Sequence, residues 1–190
     1  MKKVIIIGAG GSLAGPVIEA LQKQADVELT LFLRNKRKLS ASRADKQTVI
    51  EGDVLDYPVL KRAICGHDIV YINLAGNLEA MTQNIVRAMQ ETGVRRVIAI
   101  SSIGIYDKPL RAVLQPYRKL ADLIEESDLD YTILRPDWFT NANEVDYALT
   151  RKGEPESGSA ISRKSIAAFI AKLVANPELY KNENLGIAKP

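Results

Sequence analysis

The feature that most limits how this chain folds is the run Gly8-Ala9-Gly10-Gly11-Ser12-Leu13-Ala14-Gly15, which follows the apolar Val4-Ile5-Ile6-Ile7 and leads into Pro16-Val17-Ile18-Glu19-Ala20-Leu21. That order reads as a buried strand, a tight turn and the start of a helix. Glycine serves such a turn in two ways. It reaches backbone angles that a Cβ obstructs, and it lets an anion approach main-chain N–H groups at the positive end of a helix. A glycine-rich turn alone is weak evidence. Set between a strand and a helix, it predicts a pyrophosphate cradle contacted by Gly8, Gly10, Gly11, Ser12 and Leu13.

The rest of the chain repeats the strand and helix alternation. Apolar runs of strand length occur at 3–7, 27–33, 48–51, 69–74, 97–101 and 131–134, as expected for strands buried on both faces of a parallel sheet. Helical periodicity falls at 13–23, at 78–92 up to Gly93, and at 110–127, and Asp56 caps a further helix that Gly66 closes. Repeated units of this kind predict an α/β fold, a Rossmann-type doubly wound parallel sheet. After Pro136 the pattern loosens: 141–160 is polar and glycine-bearing, with a short strand expected near 147–150, a helix at 164–175 and a strand at 184–188. Residues 1–190 are read as one domain, with 136–190 contributing a small substrate-side cap.

Composition narrows the class. A chain of 190 residues buries a proper core, and a net charge of +3 with mixed signs gives no footprint for nucleic acid. The single cysteine, Cys65, excludes an internal disulfide and fits a reducing compartment. Lys2-Lys3 precede an apolar run too short for a signal peptide, and no segment has membrane-spanning length. A cytoplasmic protein with no membrane partner is expected. Cys65 and His67, beside Gly66, have no partner pattern for a metal or a nucleophile and read as structural.

In such sheets the end of the second strand meets the adenosine ribose. Counting about twenty residues on from the first glycine reaches Glu28, the position of an NAD-type acid. Glu28 begins the second strand, however, at the wrong end of the sheet. The relevant position is Arg34, followed by Asn35-Lys36-Arg37-Lys38. A guanidinium suits a 2′-phosphate, so Arg34 and Lys38 favour NADP(H) over NAD(H), the alternative being a solvated basic turn. Asp53, with Val54, either receives the adenine amino group or caps local N–H groups. Ala75 and Gly76 are small enough for a ligand to pass close to the backbone.

At this point the chain resembles the short-chain dehydrogenase/reductase superfamily, in its atypical, extended-like, NmrA-related branch of NAD(P)H-binding proteins. The resemblance rests on Gly8 and Gly11 with Ala14 in the third glycine position, Leu33-Arg34-Asn35 through Lys38-Leu39, and Gly52-Asp53-Val54. Ser101-Ser102, Leu129 through Pro136, and Ile161-Ser162-Arg163 continue it. It implies a Rossmann domain binding NADP(H), with Ser101 and Pro136 near the cofactor and a cap over the nicotinamide. In superfamily reductases a serine, a tyrosine and a lysine one helical turn beyond the tyrosine carry the proton chemistry. Here Ser102 and Lys119 match, but Gln115 stands in the tyrosine position. Lys119 is left with the nicotinamide ribose. Tyr117 points to another helix face, and Tyr106 is a candidate only if its loop approaches the site, packing being the alternative.

Without a phenolic acid, reduction of an isolated ketone loses a step commonly worth about 10²–10⁴ in rate, whereas a conjugated acceptor yields a delocalised anion that water protonates. Trp138 and Phe139 offer rings to a flat substrate or pack the cap onto the sheet. Arg135 reads as a structural ion-pair partner, and Arg163, at a helix start, as a member of a local ion pair. Two functions follow. One is an NADP(H)-dependent oxidoreductase passing hydride to a small quinone- or flavin-like substrate; the other is a non-catalytic NADP(H) sensor reporting to a protein partner. A homodimer remains open. A nucleotide-sugar epimerase lacks both its tyrosine and a substrate domain of usual size.

Overall fold

The computed structural model describes residues 1–190. The apolar runs become β1 (Lys2–Ile7), β2 (Val27–Leu33), β3 (Thr48–Glu51), β4 (Ile69–Ile72), β5 (Arg96–Ile100) and β6 (Asp130–Pro136). Between them lie α1 (Ala14–Leu21), the short α2 (Ala41–Ala44), α3 (Tyr57–Ile64), α4 (Leu78–Thr92) and α5 (Gln115–Glu125). Then come β7 (Phe139–Thr140), β8 (Ala148–Arg151), β9 (Ile161–Ser162), α6 (Arg163–Ala175) and β10 (Glu183–Ala188). The main sheet runs β3-β2-β1-β4-β5-β6-β10-β8, parallel except for the edge strand β8, which lies antiparallel to β10.

The sheet is covered on both faces, which is why its central strands read as unbroken apolar runs. Along β1, Val4 and Ile6 enter the cluster formed with α1 and α6, while Ile5 and Ile7 enter the cluster formed with α3, α4 and α5. All four side chains are fully buried, each contributing about 1.5–3 kcal/mol. Strand order reverses between β1 and β4, so a crevice opens above their carboxyl ends.

Local chemistry sets the helix ends. The Asp56 side chain accepts the Val59 N–H to start α3, and Gly93 ends α4 in the left-handed conformation at φ 76°. The helix expected over 110–127 begins later, at Gln115, after a 3₁₀ turn at Ala112–Leu114. Pro116, in the first turn, has no N–H to lose there.

The cap is smaller than the 136–190 expected from the sequence. β10 pairs with β6 and β8 with β10, while α6 packs beside α1. These elements complete the main sheet and its helical layer, because Leu185 and Ile187 of β10 and Phe169 and Ile170 of α6 join the first core cluster. What remains at the carboxyl edge is the connection 137–162, organised by the short parallel pair β7 and β9.

The ring of His67 bridges elements: Nε2 meets Thr30 Oγ1 at 2.8 Å and Nδ1 meets the Ile64 carbonyl at 3.2 Å. Burial pushes its pKa below the ordinary 6.5. The folded state therefore holds the neutral ring while the unfolded chain takes up a proton. Stability is full above about pH 6.5 and declines as the pH falls below it. A His67→Gln variant followed by urea unfolding between pH 7 and 5 is expected to lose part of that slope.

Gly8, at φ 92°, has no room for a side chain: an added Cβ falls 2.1 Å from the Asn73 carbonyl oxygen. Gly66 shares a positive φ of 81° but faces open space. Gly8→Ala is expected to cost at least about 2 kcal/mol through strain and backbone displacement, a fall of about 4–8 °C in Tm. Gly66→Ala is expected to cost only about 1 kcal/mol. Calorimetry of the two variants checks the difference.

Candidate functional site

The glycine turn leaves donors unused. Gly8 and Ala9 both donate to the Phe32 carbonyl, and Gly11 and Ala14 close the turn onto Gly8 and Gly11. The N–H groups of Gly10, Ser12, Leu13 and Gly15 have no acceptor within the chain. They stand at the start of α1, where the helix dipole favours an anion. A Cβ on Gly11 would lie 2.7 Å from the Asn73 amide nitrogen, and one on Gly15 would lie 2.3–2.6 Å from the Arg43 guanidinium. Gly10 differs. A Cβ there would make ordinary contact with Leu33 and Lys38 at 3.5 Å, so the packing of the chain does not demand glycine at this exposed point. The open space and unpaired donors fit a pyrophosphate.

Beside this cradle, Arg34, Asn35, Lys36, Arg37 and Glu51 line a hollow of about 370 Å³. Arg34, Lys36, Arg37 and Lys38 are exposed. The carboxylate present, Glu51, is turned to the Lys36 backbone N–H at 2.9 Å. Asn35 caps the 3₁₀ turn Lys36–Lys38 by accepting from Arg37 N, which holds the cations in one arc. Lys38 lays its stem against Gly10, joining the basic arc to the glycine turn. Glu28 is exposed and pairs in register with Lys3 near the start of β1, at the opposite end of the sheet.

Further along the crevice, Asp53 Oδ1 accepts the Leu55 N–H at 2.9 Å. The local cap is therefore real, and it leaves Oδ2 without a partner. Val54 is buried; its carbonyl accepts Asn84 Nδ2 at 3.1 Å, and its N–H has no acceptor. Ala75 and Gly76 are exposed at the end of β4, Gly76 at φ 101° with open space around it. They adjoin a groove of about 430 Å³ between the starts of α4 and α5, into which Asn77, Glu79, Gln115, Arg118 and Lys119 project. Lys119 Nζ lies 4.0 Å from Glu79 Oε1 and is more than half exposed, an arrangement that leaves the ammonium free for ribose hydroxyls.

Several expected contacts fall elsewhere. Ser101 is buried, donates its hydroxyl to the Tyr117 carbonyl at 2.9 Å and its N–H to the Leu134 carbonyl. Both donors tie β5 to its neighbours, so the Ser101 hydroxyl and N–H are already engaged within the fold. Ser102 is partly exposed, its hydroxyl resting on the Ile103 carbonyl at 3.1 Å. Pro136 is buried and its carbonyl accepts the Ile103 N–H.

Tyr106 does not serve as the acid either. Its hydroxyl lies 2.8 Å from Asn184 Nδ2 and 3.5 Å from Glu125 Oε1, and its ring is flanked by Arg118, Arg135 and Lys152 at 4.8–5.3 Å. Burial first, then Glu125, pushes its pKa upward. The loop turns Tyr106 onto the α5 face of the sheet.

Arg135 has the structural role expected, with a partner the sequence did not reveal. Its side chain is 1% exposed; Nε pairs with Glu156 at 2.7 Å, and Nη1 donates to the Asn184 carbonyl and Oδ1. Glu156 also accepts the Gly104 N–H at 2.9 Å. One carboxylate thus ties the cap to β6 and to the loop that carries Ser102. Arg163 has no ion pair, contrary to expectation. It stacks over Phe139 at 5.1 Å and donates to Thr140 O and Asn141 Oδ1, so neutral acceptors and a ring hold it instead. Phe139 packs against the first core cluster, whereas Trp138 is 75% exposed at the carboxyl edge and packs nothing down.

A sequence model described as NAD(P)H-binding matches residues 8–177. Over its whole length the chain superimposes on a Rossmann-fold NAD(P)-binding family protein from Shigella flexneri with a TM-score of 0.92 and 42% identity, covering 94% of that chain. It superimposes equally, TM-score 0.92 and 26% identity, on a short-chain dehydrogenase/reductase from Veillonella parvula DSM 2008 in complex with NADP, covering 100% of this chain and 95% of that one. Cinnamoyl-CoA reductase 1 of Petunia hybrida is 29% identical over 158 residues, which take in 72% of this chain and 45% of that protein. The chain thus spans about half the length of that curated relative.

Removal of the Glu156 carboxylate leaves Arg135 charged and buried without a counterion. Glu156→Ala is expected to cost about 3–5 kcal/mol, while Trp138→Ala, at an exposed position, stays within about 0.5 kcal/mol. Chemical denaturation of the two variants measures both.

Proposed function

The chain belongs to the NAD(P)H-binding family, and from that membership we propose that it is an NADP(H)-dependent oxidoreductase passing hydride to a small conjugated acceptor such as a quinone or flavin. The observation that carries the choice of cofactor is the exposed arc of Arg34, Lys36, Arg37 and Lys38 around its hollow, beside the glycine cradle. A 2′-phosphate there meets several cations and one carboxylate already engaged with a backbone N–H. A bare ribose hydroxyl would find no acid placed to receive it.

Each part of the crevice then has its task. The free N–H groups of Gly10, Ser12 and Leu13 hold the pyrophosphate, Asp53 Oδ2 and the Val54 N–H face the adenine, and Lys119 positions the nicotinamide ribose. When bound, the reduced nicotinamide supplies a hydride. Ser102, just after β5, and Trp138, just after β6, are assigned to the acceptor side, where the exposed indole is open for a flat molecule to stack on. Orientation of two flat rings is the main contribution the chain makes.

The acceptor class follows from the tyrosines. Tyr106 is committed to Asn184 and Glu125, and Tyr117 is partly buried against the second core cluster. With no phenol beside Lys119, acceptors whose reduced form is a delocalised anion are favoured, since water protonates them. The same commitment of Tyr106 favours a second reading, a non-catalytic NADP(H) sensor. Binding without turnover of any quinone or flavin would put that reading first.

Thermal shifts with NADPH, NADP⁺, NADH and NAD⁺ test the cofactor, because ligand at a hundredfold excess over Kd stabilises by about 2.7 kcal/mol. The phosphorylated forms are expected to stabilise more. Arg34→Ala is expected to weaken NADPH about 10–100-fold, the worth of one charged hydrogen-bonded contact, and to leave NADH unchanged. An unaltered preference in that variant overturns the assignment of Arg34.

A further inference from the structure

Resting on the reductase reading of the same groove, we propose that Gln115 is the residue that meets the acceptor: its carboxamide N–H donates to the acceptor oxygen on which charge collects as hydride arrives. Gln115 opens α5 and Lys119 follows one helical turn later, so both project from one face. Both line the groove whose far wall is Gly76, Asn77 and Glu79. The neighbouring polar side chains of the groove each have an engagement, although Asn77 Nδ2 and the Lys119 ammonium keep donors to spare. Asn77 caps α4 by accepting the Ala80 N–H, Glu79 stands 4.0 Å from Lys119, and Arg118 pairs with Asp122 at 2.7 Å. The Gln115 backbone N–H donates to the Ala112 carbonyl, while its exposed side chain makes no hydrogen bond within the chain. Its donor is therefore available without breaking a contact.

The chemistry of an amide sets the substrate class. A carboxamide stabilises a developing oxyanion by donation but does not give up its proton at neutral pH, so it does not replace a phenol as an acid. In the step, the acceptor gains hydride at a ring carbon or nitrogen, and the π pair moves through the conjugated system to the oxygen held by Gln115. Water then supplies the proton. The acceptor is reduced by two electrons and NADPH is oxidised to NADP⁺. An isolated ketone would place the full charge of an alkoxide on that oxygen, with no proton donor at hand. Gln115 thus selects quinone-like oxygens over simple carbonyls.

The test uses Gln115→Leu, which removes the donor at an exposed first-turn position, and Gln115→Tyr, which keeps a donor and adds an acid beside Lys119. Two readouts apply: NADPH-dependent reduction of menadione, and binding of 4-nitrophenolate, an unreactive delocalised oxyanion, to the protein with NADP⁺. Binding is followed by the phenolate absorption band. Gln115→Leu is expected to keep thermal stabilisation by NADPH, to lose about 10²-fold or more in kcat with KM little changed, and to bind 4-nitrophenolate about tenfold more weakly. Gln115→Tyr is expected to retain both. Equal kcat and equal phenolate affinity in Gln115→Leu overturn the proposal, as does absence of phenolate binding by the unmodified protein. If no quinone is turned over at all, the reductase reading fails by itself, and the phenolate comparison still decides whether Gln115 holds an oxyanion.

Discussion

The approach of the Gly8 backbone to the Asn73 carbonyl, so close that a Cβ would lie 2.1 Å from the oxygen, is the constraint on which the carboxyl edge depends. β1 and β4 run side by side to their ends, Ile7 opposite Ile72, and Asn73 then donates its N–H to Ile7. The chain leaves β1 over the top of β4 only because position 8 has no side chain and accepts φ 92°. The same turn hooks onto β2, since Gly8 and Ala9 share the Phe32 carbonyl. Three strands are thereby fixed relative to the start of α1, and the unpaired N–H groups of Gly10, Ser12 and Leu13 are aimed without any side chain taking part. Fit here is a property of the backbone, set before any ligand arrives.

Electrostatics follows a different rule at each end of the crevice. At the adenosine end the cations are exposed and held only by a short 3₁₀ turn, so their mutual repulsion is screened and the arc stays available to an incoming anion. At the cap end the decisive cation, Arg135, is buried and held through Nε and Nη1. Desolvation is costly for a guanidinium, and the structure offsets it with Glu156, Asn184 and the ring of Tyr106. That commitment removes Tyr106 from proton chemistry. It also anchors, through the Gly104 N–H, the loop bearing Ser102. The engagement of Tyr106 and the anchored cap are consequences of one network.

The sheet was readable in the sequence because burial on both faces leaves a one-dimensional trace. The runs at 27–33 and 48–51 became β2 and β3 at their expected bounds, and the periodicity over 78–92 with Gly93 as its stop became α4. The glycine cradle and the Arg34 arc were readable for the same reason: their chemistry is local. Glu156 was not, because it sits in a polar stretch and acquires meaning only when the chain folds back over 21 residues to Arg135. Ser101 misled because Ser101 and Ser102 differ only in which side of the β5 end they face, and the buried one went to the Tyr117 carbonyl. The partner of Arg163 was not legible because the ring it stacks on, Phe139, meets it only through the pairing of β7 with β9.

These facts bear on how the groove distinguishes substrates. Selectivity by shape requires enclosing walls, yet the cap is small and Trp138, at the edge, is three-quarters exposed. Little area is available for a large substrate to gain affinity by burial, at about 25 cal/mol per Å². On the proposed reductase reading, discrimination comes from the reacting atoms: whether the negative charge left by hydride spreads over a ring or sits on one oxygen. An exposed lysine with a loose carboxylate partner at 4.0 Å, and a carboxamide one turn before it, make a setting that tolerates diffuse charge and gives concentrated charge no proton. On that proposal, the electronic character of the acceptor, more than its outline, is what such a site reads.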